Sequence, residues 1–473
     1  MTRINTNIPS MIAQGRLRNN TNDLQTRLER LATGLRINRG KDDPAGLIAS
    51  EILRSEIKAI DQAIDNSQRA INVVSTAEGA INETSSLLLD LRALLVSSAN
   101  DGALSPEEIE ANQLEIDSLI ASIDRIANTT SFGSKKLLDG SLGYTVSGVN
   151  TTNLESVSVF SARVPEGNVR NVVVQVTASA EAATQQITAS ATGAAAIEIT
   201  GIQGTEILSF ASGTTIAQIQ TSINAVTDTT GLSATVSVNV LTINSNTFGS
   251  ESLVKVKTLS GTFMGDSNYT AGAAAVEDKG VDPTVLVNGQ VADARGLRVD
   301  IRTNGLDGRF YLSQAFAQSA TSTSFDVTGG GSTFQLGPSV TPAAQVSVGI
   351  NSTSSGALGN SVIGFLNSLK SGGANEIKGK HFVAAQNIVS EAINQVATAR
   401  GRLGSLQKNQ IETNINSQQI ALENVSASES IIRDADIATE VSALTRAQIL
   451  FQSTQNTLQI SNALPQAVLG LLG

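Results

Sequence analysis

Residues 437–473 read IATEVSALTRAQILFQSTQNTLQISNALPQAVLGLLG and carry the strongest structural signal in the chain. Apolar side chains recur there at the spacing of a helix that packs against other helices. They are Ile437, Val441, Leu444, Phe451 and Leu458. No charged residue follows Arg446. Because a protein surface seldom stays apolar and uncharged over such a length unless something covers it, this end of the chain is predicted to assemble with a partner.

The N-terminal residues carry a matching pattern. Leucines recur at helical spacing, at Leu17, Leu24, Leu28, Leu31 and Leu35. No proline occurs between Pro44 and Pro106 or between Pro342 and Pro465, so long uninterrupted helices are permitted next to both ends. The two ends of the chain therefore predict one helical assembly.

Two helices are predicted directly after this leucine-rich N-terminal segment. Asp43 is placed to cap the first, with Pro44 at its first helical position. Its apolar face continues for about 55 residues, which corresponds to a rod of roughly 80 Å. Residues 105–108 (SPEE) form a capping box that opens a second helix. We expect the second helix to fold back on the first as an antiparallel hairpin.

A third long helix is predicted near the C-terminal end, from Val383 to Val425. Its apolar residues keep a helical spacing except between Leu403 and Ile411, where the register shifts. We expect a local irregularity of the helix at that point.

The middle of the chain predicts β structure. No lysine or arginine occurs between Arg170 and Lys255, and Ser, Thr, Ala, Val and Gly dominate. Strands are indicated at 236–240 and 297–302, hairpin turns at 288–289, 304–305 and 307–308, and a short helix at 216–226. A disordered Ser/Thr-rich segment is the alternative, which the regular apolar alternation disfavours. The predicted fold class is α+β, a long antiparallel coiled-coil-like helical rod formed by both termini with a β-rich outer insert of one or two small domains.

Composition excludes several functions. The net charge of −10 argues against nucleic acid as a partner. The first 41 residues are locally basic, which indicates the outer face of an amphipathic helix or, alternatively, a site for an anionic partner or export factor. The chain has no cysteine and one histidine, His381, and lacks phosphate-binding and dinucleotide-binding glycine motifs. We therefore predict no enzyme activity, no cofactor, no metal and no membrane insertion.

Both ends of the chain resemble bacterial flagellin, in the same order along the sequence. The matching segments are 4–7 (INTN), 30–38 (RLATGLRIN), 41–46 (KDDPAG), 432–436 (IRDAD), 438–441 (ATEV), 445–450 (TRAQIL) and 465–469 (PQAVL). The resemblance covers roughly the first 140 and the last 95 residues, and the matching order at both ends makes it highly specific. The middle shows no firm pattern of the family.

The resemblance implies a structural subunit that assembles into the flagellar filament for swimming motility. The implied division is 1–43 and 433–473 as filament core, 44–177 and 376–432 as helical rod, the first with a β-hairpin region, and 178–375 as variable outer insert. The implied core-packing residues are Leu24, Leu28, Leu31, Leu35, Ile37, Val441, Leu444, Ile449, Leu450, Leu458, Val468 and Leu469.

The resemblance also implies the partners and location of the protein. They are further copies of the chain, a flagellar export chaperone at the C-terminal helix, the type III export apparatus, and the filament cap and junction proteins. The expected location is extracellular, in the filament, reached without a cleaved signal peptide.

One family feature departs from its usual pattern. The vertebrate Toll-like receptor that senses flagellins contacts a helix patch that corresponds to residues 88–96. Arg92, Leu94 and Glu115 match the family, but Asp90 stands where arginine is usual and Ala93 where glutamate is usual. Since a charge reversal at an interface can cost several kcal/mol, we expect weak recognition.

Three other functions fit parts of the sequence. A hook–filament junction protein shares the terminal helices, but the extensive C-terminal match favours a filament subunit. A coiled-coil surface adhesin would need a membrane span or barrel, and no membrane span is visible. An enzyme carried on a filament scaffold would need reactive residues that this sequence lacks.

Overall fold

The computed structural model describes residues 6–100, 102–164, 168–188, 193–303 and 305–470, with the backbone only for 465–470. Long helices lie toward both ends of the chain. The helices are α1 (Ile8–Thr33), α2 (Pro44–Ser98), α3 (Pro106–Thr129), α4 (Ile216–Ala225), α5 (Thr227–Thr230), α6 (Gln314–Ala317), α7 (Phe382–Leu406), α8 (Thr413–Arg433) and α9 (Ile437–Gly470).

Short strands fill the region between α3 and α7. They are β1 (Ser131–Phe132), β2 (Lys135–Lys136), β3 (Tyr144–Ser147), β4 (Leu154–Ala162), β5 (Arg170–Ala178), β6 (Ala182–Thr188), β7 (Ala195–Thr200), β8 (Thr205–Phe210), β9 (Leu232–Ser237), β10 (Val240–Phe248), β11 (Leu253–Ser260), β12 (Val276–Lys279), β13 (Thr284–Val287), β14 (Gln290–Val291), β15 (Asp293–Arg295), β16 (Arg298–Arg302), β17 (Leu306–Leu312), β18 (Ser322–Gly330), β19 (Ser332–Gln335), β20 (Gln345–Val348), β21 (Gly359–Asn360) and β22 (Gly364–Phe365). Helical ends and a β-rich middle confirm the predicted fold class.

Two units are distinguished by their internal contacts. The first contains the residues up to Arg69, Gln335–Ala344 and the residues from Lys408 onward. The second contains Ala70–Phe334 and Gln345–Gln407. The first unit is dominated by helices from the two termini, and the second holds the β-rich middle.

The start of α2 is set by the predicted cap. The Asp43 carboxylate accepts a hydrogen bond of 2.9 Å from the backbone N–H of Gly46, and Pro44 is the first helical residue. This satisfies one of the free N–H groups at the helix start. The helix runs for 55 residues, as its apolar pattern predicted.

The capping box of α3 is also confirmed. The Ser105 hydroxyl accepts from the backbone N–H of Glu108, whose carboxylate accepts from the backbone N–H of Ser105 at 2.7 Å. Asn112 on α3 donates to the Ser98 hydroxyl in the last turn of α2 at 3.0 Å. The helix therefore returns past the end of α2, as expected for an antiparallel hairpin.

The third predicted helix is interrupted where its register shifts. Gln407–Glu412 forms a π-helical turn between α7 and α8, which confirms the expected irregularity between Leu403 and Ile411. Its predicted end at Val425 is wrong, because α8 continues to Arg433. No proline or glycine lies between Val425 and Asp434 to stop the helix, and it ends only where Asp434 becomes extended.

Two carboxylates of α3 hold the segment that leads into α7. Asp124 accepts from the Ser355 backbone N–H at 2.7 Å and from the Lys370 ammonium at 2.8 Å. Asp117 accepts from the backbone N–H and hydroxyl of Ser371 at 2.9 and 2.6 Å. Burial opposes the charged form, but these hydrogen bonds hold the pKa of both carboxyls below its ordinary value.

The β-rich middle contains two separate hydrophobic cores. Sheets β14-β13-β5-β18-β3 and β15-β16-β17-β4 contribute to the first, which includes the edge-to-face pair of Phe310 and Phe325 at 5.5 Å. Sheets β6-β10-β9 and β12-β11-β7-β8, with α4, contribute to the second. The second core draws all its residues from Ala183 to Val276, so this insert packs around its own interior.

Most local predictions for the middle hold, with two corrections. Residues 236–240 are not one strand, because Val238 and Asn239 have positive φ and form the turn between β9 and β10. Residues 307–308 are not a turn but lie inside β17, paired with β4 and β16. The turn at 288–289, the strand at 298–302 and the helix at 216–225 are confirmed. The predicted turn at 304–305 includes residue 304, which lies outside the described residues. In both corrected cases the pairing between strands determines where the turn lies, and the turn-forming residues alone did not predict it.

Candidate assembly surface

The helices α1 and α9 pack along each other in the first unit. Asn7 donates to the backbone carbonyl of Ser461 at 2.8 Å. Asn20 donates to the Thr454 hydroxyl at 2.7 Å. The later residue of α1 contacts the earlier residue of α9, so the two helices are antiparallel. The first and last helices of the chain are therefore direct neighbours.

An ion pair joins α1 and α9 at the other end of the helix pair. The Arg27 guanidinium lies 3.2 Å from the Glu440 carboxylate, whose side chain is only 8% exposed. Arg27 also bonds Asp23 at 3.2 Å, one turn earlier on α1. Burial acts against the charged guanidinium, but the bond to Glu440 is the main reason that the pKa of Arg27 is raised. A half-buried pair of this kind fixes the register of two helices.

The connections that follow α1 and precede α9 are joined to each other. Gly34 ends α1 with φ of 73°, and its carbonyl accepts from the Ala435 backbone N–H at 2.9 Å. Arg36 donates its backbone N–H to Arg433 at 2.7 Å and its guanidinium to the Ile432 carbonyl at 2.6 Å. Two of the segments that carry the family resemblance, 30–38 and 432–436, thus meet in space.

The same junction is supported by buried and charged neighbours. Ile37 is 1% exposed. The Arg433 guanidinium lies 2.9 Å from Glu51 on α2, and Ser50 bonds Glu429 on α8 at 2.9 Å. Sequence reasoning missed this junction. Its only signal was the glycine that ends α1 and the Asp-Ala-Asp that precedes α9.

The predicted packing residues of the helix pair fall into three groups. Ile37 is buried, and Leu24, Leu31, Leu35, Leu444 and Leu458 are half-buried. Leu28, Val441, Ile449 and Leu450 remain exposed, at 47%, 44%, 63% and 45%. Val468 and Leu469 lie on the last turns of α9, and their side chains are outside the described residues. Pairing of α1 with α9 therefore covers only some of the predicted packing residues.

Further apolar side chains of the first unit are also exposed. They are Ile8, Met11, Ile12, Ile48, Ile52, Ile437, Ile460 and Leu464. The sequence contained a signal for the first three, because positions 8, 11 and 12 share one helical face. An exposed apolar surface of this kind is typical of an interface that is completed by another molecule.

The residues of the predicted receptor patch lie in the second unit. Asp90, Arg92 and Ala93 are exposed on α2, and Leu94 is half-buried. Glu115 is exposed on α3. The side chains that depart from the family pattern therefore face solvent.

In the described part of the chain no helix has the length and hydrophobicity needed to cross a membrane. Within the same residues, His, Asp and Glu side chains form no group of three that could hold a metal ion.

Comparison with known proteins gives matches at both ends and in the middle. The family model described as bacterial flagellin N-terminal helical region matches residues 4–142, and the C-terminal helical region matches 386–472. A third model, the flagellin hook IN motif, matches residues 196–247. The expectation that the middle shows no firm family pattern is therefore wrong for the second β core. In its Ser/Thr-rich sequence the motif was not recognised.

Individual relatives match over nearly the whole chain. The B-type flagellin of Pseudomonas aeruginosa is 30% identical and 99% of each chain is covered. A flagellin of Clostridium tyrobutyricum is 30% identical over 96% of this chain and 98% of its own. Among solved structures, the flagellar hook associated protein-3 of Legionella pneumophila matches with a TM-score of 0.30 at 13% identity, over 80% of this chain and 97% of its own.

Proposed function

This chain belongs to the bacterial flagellin family, and from that premise we propose that the paired helices α1 and α9 are the surface through which it polymerises. As a flagellin it is a structural subunit of the extracellular flagellar filament. The proposal concerns which residues make the contacts between copies. They are the apolar side chains that pairing of α1 with α9 leaves exposed, together with those predicted from the sequence.

The observation that carries this proposal is the exposure of large aliphatic side chains on both helices. Ile12 is 57% exposed on α1, and Ile449 and Ile460 are 63% and 64% exposed on α9. Burial of one such side chain contributes about 1.5–3 kcal/mol relative to exposure. Several of them on one surface supply a driving force for association that a monomer does not use.

We propose the following division of the chain in the filament. Residues 1–43 and 433–473 form the filament core, and residues 44–177 and 376–432 form the rod around it. Residues 178–375 form the outer insert. The self-contained core between Ala183 and Val276 supports the outer role, because that segment needs no packing from the helices.

We further propose that α9 has a second partner before assembly. An export chaperone that covers Val441, Ile449 and Leu450 would keep the subunit monomeric until it reaches the type III export apparatus. The exposed apolar residues and the lack of charge after Arg446 support this role. Cap and junction proteins are proposed as the neighbours of the subunit at the two ends of the filament.

The ion pair between Arg27 and Glu440 tests whether the α1–α9 pair is the assembling unit. We expect Arg27→Glu to raise the critical concentration for polymerisation at least tenfold, because it places two carboxylates together in a half-buried site. The charge swap Arg27→Glu with Glu440→Arg should recover most of the loss. Sedimentation and electron microscopy of purified protein measure both effects.

The matched control for this experiment is Lys279→Glu, an equal charge change in the outer insert at a residue that is 65% exposed. It should polymerise like the unchanged chain. If Arg27→Glu also polymerises normally, the helix pair is not the assembling unit. Persistent monomers or short caps from the unchanged chain would instead favour a junction protein.

The receptor patch gives a separate prediction. We propose that Asp90 and Ala93 make this chain a poor ligand for the flagellin-sensing Toll-like receptor. Asp90→Arg with Ala93→Glu restores the usual charges on an exposed helix face. We expect this double variant to strengthen the reporter-cell response to monomer about tenfold or more, since like-charge contacts at an interface cost several kcal/mol.

Asp65→Arg is the control, because it adds positive charge to the same helix roughly 40 Å away along its axis. It should leave the weak response unchanged. A strong response to the unchanged monomer, or an equal gain from the control, would contradict the proposal.

A further inference from the structure

One face of the sheet β15-β16-β17-β4 is unusually rich in arginine. Strand alternation places Val299 and Ile301 of β16 in the first β core, which leaves Arg298, Asp300 and Arg302 on the other face. Arg295 of β15 and Arg309 of β17 pair across from β16. With Gln290 and Val291 of β14 and with Thr303, these residues line a cleft of about 550 Å³. That volume suits a small ligand.

Positive charge exceeds negative charge in this cleft. Its lining contains four arginines and two aspartates, Asp293 and Asp300. Asp300 accepts from the Nε of Arg309 at 2.8 Å and lies 3.2 Å from the Nε of Arg298. Asp293 and Arg295 are 3.8 Å apart and largely exposed. The two carboxylates therefore contact three of the four arginines, each through its Nε. Most of the terminal guanidinium nitrogens in the cleft remain available to other groups.

Two donors in the cleft lack partners. The Nε of Arg298 is buried, yet its approach to Asp300 lacks hydrogen-bond geometry and it bonds no other atom. Arg302 is exposed and lies opposite Asp307 in the pairing of β16 with β17, but within the described residues its guanidinium forms no ion pair at 4.0 Å or less. Because a buried N–H without a partner costs free energy, the cleft is better satisfied with an anion present than without one.

We propose that this cleft binds an acidic sugar residue, a carboxylate carried on a polyol ring. The planar fork of Arg302 fits a carboxylate through two parallel hydrogen bonds. The exposed amide of Gln290 can bond sugar hydroxyls, and Val291, 73% exposed, offers an apolar surface for the ring. This binding is independent of polymerisation, since all lining residues belong to the second unit.

The test uses the full-length chain as monomer and a trimer of galacturonic acid as the probe, followed by calorimetry or NMR. We expect saturable binding that weakens as salt is raised. Arg302→Gln should weaken it about tenfold, because one charged bidentate contact is lost. Arg302→Lys should recover part of the affinity, since it keeps the charge without the fork. Arg302 is exposed and unpaired, so these variants should fold normally.

Arg125→Gln is the matched control, an exposed arginine on α3 away from the cleft, and it should bind like the unchanged chain. A neutral galactose trimer should bind at least tenfold more weakly than the acid. Three results would overturn the proposal: no saturable binding by the unchanged chain, equal binding by Arg302→Gln, or equal binding of the neutral trimer. Inorganic phosphate binding as tightly as the acidic trimer would show an anion cleft without sugar recognition, and would also overturn it.

Discussion

A chain that ends at Ala443 should form no filaments at any concentration at which the full chain does. The truncation removes most of α9 and with it the bonds from Asn7 to Ser461 and from Asn20 to Thr454. It also exposes the face of α1 that α9 covers. Each subunit loses several aliphatic side chains that the filament is proposed to bury, at about 1.5–3 kcal/mol each, and a polymer multiplies this loss over all its subunits. Electron microscopy and sedimentation measure the result.

The same truncation should abolish binding of the export chaperone, because it removes Ile449, Leu450 and the uncharged tail. A pull-down of the purified chaperone with the full and truncated chains measures this directly. Normal filaments from the truncated chain would refute the role of α9 in assembly. Retained chaperone binding would refute only its role before export, so the two proposals are tested separately.

The control is a deletion of larger size in the outer insert. Glu181 and Val281 pair as an isolated β-bridge, with backbone hydrogen bonds of 2.9 and 3.0 Å between them. Residues 183–279 can therefore be replaced by a short glycine-serine linker without a strained connection. This variant loses the whole second β core but keeps α1 and α9, and we expect it to polymerise.

The helical part of the fold was predictable because its signals are local. Asp43 before Pro44 and the capping box at Ser105 each fix a helix start through contacts within four residues. Apolar spacing gave the length of α2 and the irregularity before Ile411. The overrun of α8 past Val425 shows the limit, since apolar spacing marks a packed face and not the end of a helix.

The rest depends on contacts between residues far apart in the chain. Val238 occupies a turn although its β-branched side chain disfavours positive φ, because pairing of β9 with β10 imposes the turn there. The bonds between Arg36 and Arg433 link positions that no local pattern relates. The arginine cleft arises only when four strands, β14 to β17, come together, so its residues look like ordinary surface charges in the sequence.

The exposed aliphatic face of α9 allows assembly to be separated from folding by one substitution. Ile449 is 63% exposed, so Ile449→Asp should change the free energy of unfolding of the monomer by no more than about 0.5 kcal/mol. In a contact between subunits the same change removes an apolar side chain and buries a carboxylate without a partner. We expect the critical concentration for polymerisation to rise about 100-fold or more.

Ile207→Asp is the matched control, because Ile207 is 58% exposed on the edge strand β8 of the outer insert. The two variants change the same side chain at nearly equal exposure, so they differ only in whether a neighbouring subunit covers the site. Thermal unfolding should be unchanged in both, and sedimentation should separate them. If both polymerise alike, the exposed face of α9 is ordinary surface and the contacts between copies lie elsewhere. If only Ile449→Asp fails to polymerise, the α9 side chains that are exposed in the monomer become buried in the filament.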